Sequence, residues 1–117
     1  MTAVPGDFWD EADRLLAAAE IVIDRPRGTR HPRYADTVYP LDYGYLAGTT
    51  ASDGAEVDVW VGSAEPRALD AVVCTVDPRK QDVEVKLLLG CTADEKRTVL
   101  AFHVGAMLVE RPARPAR

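Results

Sequence analysis

Residues 82–89 read Asp-Val-Glu-Val-Lys-Leu-Leu-Leu, and residues 56–61 read Glu-Val-Asp-Val-Trp-Val. Side chains on a strand point to alternate faces, so a two-residue period of apolar and polar groups commits a segment to a sheet. Val83, Val85, Leu87 and Leu89 then share one face, with Asp82, Glu84 and Lys86 on the other. Val57, Val59 and Val61 likewise oppose Glu56, Asp58 and Trp60. Leu69–Val76 reads as a further strand that stops at Asp77-Pro78, and Ile21–Ile23 as a short β-branched one.

Helical spacing appears near the two ends. Phe8, Ala12, Leu15, Leu16 and Ala19 recur along one stripe, so Asp7–Ala19 is predicted helical, with Asp7 as its cap. Thr92-Ala93-Asp94-Glu95 has the form of a capping box and opens a second helix, expected to carry Val99, Leu100, Phe102 and Met107. The tail from Arg111 holds only Arg, Pro and Ala and is expected to be loose and disordered. Several short strands with two helices predict a mainly β, α+β domain over residues 1–117. Its sheet is expected to be small and closed or nearly closed, with the helices packed on it.

Charge and composition narrow the partners. The net charge of −5 argues against a nucleic-acid partner. No apolar run approaches the ~20 residues that cross a bilayer, and no basic, then apolar, leader opens the chain, so no membrane partner is expected. Cys74 and Cys91 lack metal-ligand spacing and read as buried thiols of a reducing compartment, the cytoplasm.

Two sets of residues suggest chemistry. Asp53 sits beside Gly54 in a turn, Asp58 lies on the following strand, and Asp77 and Asp82 bracket the next hairpin. Carboxylates at strand ends can hold magnesium, which takes oxygen ligands and keeps several waters. They equally suit turns and solvated strand ends. Arg25, Arg27, Arg30, His31 and Arg33 form a basic loop; guanidinium groups grip phosphate by paired hydrogen bonds, although an exposed charged loop reads the same way. Tyr43, in a Pro/Gly turn, is a candidate phosphate donor or a packed aromatic. His103 reads as a structural residue of the second helix, able to carry a proton only where that helix borders a pocket.

Val38-Tyr39-Pro40-Leu41-Asp42-Tyr43-Gly44-Tyr45, then Gly48-Thr49, then Asp53-Gly54-Ala55-Glu56-Val57-Asp58-Val59, resembles the core of the family I soluble inorganic pyrophosphatases. The resemblance covers residues 21 to about 90. It implies an OB-like β-barrel with flanking helices, and magnesium-dependent hydrolysis of pyrophosphate to two phosphates. It also implies a homo-oligomer, hexameric in bacterial relatives. Asp53, Asp58, Asp77 and Asp82 match the metal-binding positions, Arg33 a phosphate-binding lysine, and Tyr43 a phosphate-binding tyrosine. Ala55 stands where the family has the aspartate that orients or deprotonates the attacking water, a loss worth ~10²–10⁴ in rate. Glu56, next to it, is the candidate replacement beside Asp53 and Asp58. Arg27 or Arg30 would stand in for a missing phosphate-binding arginine, and Lys86 for a lysine expected where Glu84 falls. Hydrolysis of another phosphorylated small molecule, and a non-catalytic phosphate-, nucleotide- or protein-binding role, are the alternatives.

Overall fold

The computed structural model describes residues 7–113. Helix α1 (Phe8–Ala18) is capped by Asp7, whose carboxylate accepts the Asp10 N–H at 2.9 Å. Strands follow as β1 (Ile21–Arg25), β2 (Asp42–Leu46), β3 (Val57–Val61), β4 (Leu69–Asp77) and β5 (Asp82–Leu89), then helix α2 (Ala93–Phe102) and β6 (Ala106–Glu110). Thr92 and Glu95 make the expected capping box at the start of α2. None of the helices in the described residues is long and apolar enough to cross a membrane.

The six strands form one mixed sheet in the order β1-β2-β3-β5-β4-β6, with β3 and β5 parallel and every other neighbour antiparallel. This corrects the closed OB-like barrel: the sheet is open, and β1 and β6 lie at its two ends. The reason lies in Trp60, a polar-face residue by alternation that is nonetheless fully buried. Both faces of the sheet's centre are therefore cores, whereas a small barrel has a single interior. On one face Ala12, Trp9 and Leu16 of α1 pack over Leu46, Val59, Val61, Val72 and Leu87. On the other, Val99, Leu100 and Phe102 of α2 pack with Tyr39, Trp60, Val73 and Leu88.

Two glycines make this geometry feasible. A Cβ on Gly44 would meet the Val22 carbonyl oxygen at 1.9 Å, so β1 can cross β2 only over a residue without a side chain. Gly105, at φ +74°, takes the left-handed conformation that turns the chain out of α2. The second helix accordingly ends at Phe102, and Met107 lies on strand β6 rather than on the helix. The expectation of a loose tail is corrected at its first residue: Arg111 binds both carboxylate oxygens of Asp13 on α1, at 2.9 and 2.7 Å. The expectation for residues 114–117 lies outside the described residues.

Candidate functional site

Asp58 on β3, Tyr43 on β2 and Lys86 on β5 all project from the α2 face of the sheet. The register explains it: Tyr43 pairs with Trp60, two residues from Asp58, and Trp60 pairs with Leu88, two residues from Lys86. The Lys86 ammonium donates to Asp58 Oδ2 at 2.7 Å and to Tyr43 Oη at 2.9 Å, and lies 3.1 Å from Glu84 Oε2. Three oxygen partners match its three N–H donors. Lys86 is only 7% exposed. Burial opposes its charge, but Tyr43 and Asp58 outweigh that and hold it above the usual lysine range. Burial likewise pushes the Tyr43 phenol up, so it stays a neutral hydroxyl.

These groups line a cavity of about 870 Å³. Its floor is the sheet, with Thr75, Glu84 and Asp58; the β4–β5 hairpin supplies Asp77, Arg79, Lys80 and Asp82; the end of α2 supplies Phe102 and His103. Tyr39 and His31 form an aromatic wall, stacked with centroids 6.1 Å apart. His103 Nε2 accepts the Trp60 indole N–H at 3.1 Å. Burial first, and then the Lys86 charge, lower its pKa to about 4, leaving a neutral imidazole near neutral pH.

Of the four acids read as metal ligands, Asp58, Asp77 and Asp82 line this cavity and Asp53 does not, and each is engaged locally. Asp58 is held by Lys86. Asp53 is hydrogen-bonded to Glu84 and accepts the Ala55 N–H at 3.0 Å. The bond with Glu84 holds Asp53 below the usual carboxylate range, and the same bond, with burial, raises Glu84. Asp77 Oδ1 accepts the N–H groups of Arg79 and Lys80, closing the hairpin turn, and Asp82 pairs with it across the strands. Among the described residues no group of three His, Cys, Asp or Glu side chains is arranged to hold a metal ion. These residues as placed do not form a magnesium cradle.

The arginine clamp is also placed elsewhere. Arg27 lines a separate pocket beside Asp94 and Glu95 of α2. The Arg30 guanidinium donates to the Ala35 carbonyl at 2.6 Å. Arg33 is exposed, its backbone N–H donating to His31 Nδ1 at 3.0 Å. None of these three arginines lines the Lys86 cavity, whereas Arg79, Lys80 and His31 do. Glu56 is exposed just before β3 and lies outside that lining. Arg79 and Lys80 were detectable in the sequence: they fill the turn between Asp77 and Asp82, so any site that uses those acids brings them along. The Trp60–His103 bond had no such signal, because it joins residues far apart in the chain.

No family model matches the chain. Over 51 residues it is 41% identical to the inorganic pyrophosphatase of Aeropyrum pernix. That segment covers 44% of this chain and 29% of the Aeropyrum protein. The chain is thus similar, over less than half of its length, to one stretch of a pyrophosphatase.

Proposed function

We propose that this chain is a hydrolase of pyrophosphate, yielding two phosphates, and that the reaction takes place in the cavity over Lys86. The observation that supports this best is the convergence of Tyr43, Asp58 and Lys86, from three strands, on one cavity that also holds Arg79 and Lys80. Ammonium and guanidinium groups bind phosphate oxygens by charge-assisted hydrogen bonds. In this reading Lys86, Arg79 and Lys80 carry the positive charge that holds the anion. Tyr43 supplies a neutral hydroxyl beside it, and Asp58 fixes the Lys86 ammonium in place. The similarity to the Aeropyrum pyrophosphatase points to the same substrate class.

Dependence on Mg2+ belongs to the proposal through the family resemblance, with Asp53, Asp58, Asp77 and Asp82 as the acids assigned to it. As placed among the described residues, these acids form no ready cradle for the ion. Arg27, Arg30, Arg33 and Glu56 would reach the substrate only if their loops moved toward the cavity. Cytoplasmic placement and self-association go with the same reading.

A second reading is favoured by one specific observation: the polar groups nearest Lys86 are already paired with one another, and Ala55 offers no side-chain base at its own position. Such a site suits a module that binds phosphate or a nucleotide without cleaving it, or one that acts on a different phosphorylated molecule.

Phosphate release from magnesium pyrophosphate separates the readings. Release by the wild-type chain that is lost in Asp58→Asn supports the hydrolase. Binding of pyrophosphate without release supports the binding module. Turnover unchanged in Asp58→Asn rules out the assigned site.

A further inference from the structure

Lys86 is a cation seated in a shell of oxygens. Its ammonium lies 2.7 Å from Asp58 Oδ2, 2.9 Å from Tyr43 Oη and 3.1 Å from Glu84 Oε2. The Tyr43 hydroxyl is bonded to Asp58 as well, so lysine, phenol and carboxylate close a ring. The Nζ also stands 5.5 Å from the centre of the Tyr43 ring. The rest of the lysine side chain is buried with its head.

The size and charge of this shell select its occupant. Magnesium binds oxygen at about 2.0–2.1 Å in near-octahedral geometry. Distances of 2.7, 2.9 and 3.1 Å are those of an ammonium hydrogen-bonded to oxygen. One of the three oxygens belongs to a neutral phenol, and another to Glu84, which is itself hydrogen-bonded to Asp53. A divalent ion placed on Asp58 would also stand beside a positive charge anchored on β5, and like charges at that range repel.

Asp58 lines the same cavity as Arg79 and Lys80. Left alone, its carboxylate would repel an incoming phosphate, so a positive charge has to neutralise it. Given that this cavity is the pyrophosphate site, as proposed above, we infer that the Lys86 ammonium takes the place of a metal ion at Asp58. The cavity then admits a phosphate-bearing anion without a divalent cation. Lys86 cancels the charge of Asp58, and Arg79 and Lys80 supply the net attraction. Magnesium, where hydrolysis uses it, serves cleavage and not the seating of the anion. A side-chain cation cannot dissociate, so the site keeps its charge at any magnesium concentration and in an excess of chelator.

The test is calorimetric titration of the full chain with pyrophosphate, in EDTA and again with Mg2+, together with proton–nitrogen NMR of the Lys86 ammonium. Wild type is expected to bind pyrophosphate in EDTA, and its ammonium signal to persist in saturating Mg2+. Lys86→Met is expected to bind in EDTA roughly ten-fold or more weakly. Adding Asp58→Asn removes the carboxylate that calls for a cation and is expected to restore part of that loss. Wild-type binding that appears only with Mg2+ overturns the inference and leaves the pyrophosphate reading standing. Binding in neither buffer sinks the pyrophosphate reading, and the NMR then decides the inference: an ammonium signal that Mg2+ abolishes overturns it. Lys86→Met that binds in EDTA as tightly as wild type overturns it too, as does a folded double variant with no recovery. Where Lys86→Met fails to fold, the two wild-type measurements decide.

Discussion

The indole N–H of Trp60 donates to Nε2 of His103 across 3.1 Å. An indole nitrogen is only a donor, so the accepting nitrogen bears no proton and a neutral His103 carries its hydrogen on Nδ1. Orientation and tautomer of the ring are fixed by one residue in the sheet's centre, while burial and the Lys86 charge keep it neutral. Its pKa, lowered from 6.5 to about 4, gives a test in stability. Below pH 6.5 the unfolded chain takes up a proton that the folded chain refuses. Stability is therefore lost as pH falls from 6.5 to about 4, and this contribution levels off below that. Denaturant midpoints across this window are expected to show that slope in wild type and a weaker one in His103→Asn.

Lys86 is the structural centre of the polar face. Lys86→Met leaves Asp58 without its partner and Glu84 beside an apolar chain. Breaking a buried pair from one side costs ~3–5 kcal/mol, and with Asp58 partly open to solvent about 2–4 kcal/mol is expected here. Adding Asp58→Asn should recover part of that loss, and urea unfolding of the single and double variants measures the coupling.

Gly44→Ala places a methyl group on the Val22 carbonyl. Neither atom is at the end of a flexible side chain, so β1 must separate from β2. The expected cost is more than about 3 kcal/mol, seen as a collapse of the thermal midpoint or as failure to fold. Gly54, whose added Cβ would meet open space, serves as the comparison, where only its positive φ of 88° resists substitution.

The basic groups of the cavity and of the 25–33 loop give opposite expectations for anion binding. A hydrogen bond to a charged group contributes ~1.5–3 kcal/mol. Arg79→Ala or Lys80→Ala is expected to weaken pyrophosphate binding by roughly ten-fold or more. Arg30→Ala, whose guanidinium already serves the Ala35 carbonyl, is expected to leave it unchanged. Calorimetric titration of the three variants with pyrophosphate decides which cluster is the clamp.

What was legible in the sequence was local. Alternation placed β3 and β5 and set Asp58 and Lys86 on the polar sides of their strands. The capping box placed the start of α2, and helical spacing placed α1. What was lost depended on distant packing. Val83 and Val85 alternate correctly, yet are exposed, because α1 covers the face only farther along β5. Trp60 was read with the polar residues, and its burial under α2 is what turns a supposed barrel into an open sheet between two helices. Gly105 was the overlooked punctuation: without it the apolar run 99–109 reads as one helix. The acids were found one by one, but their partners were not, since Asp58–Lys86 and Asp53–Glu84 join residues 28 and 31 positions apart, where sequence spacing is silent.

The Arg111–Asp13 ion pair spans 98 residues and ties the last strand's exit to the first helix. A ribosome makes Asp13 98 residues before Arg111. Until Arg111 has been made α1 has its apolar stripe but not this latch, and the latch can close only after β1 to β6 have been translated. Trp9 shares in it, its ring lying 5.9 Å from the Arg111 guanidinium. Helix α1, made before every strand of the described sheet, is thus locked in place only after the last of those strands.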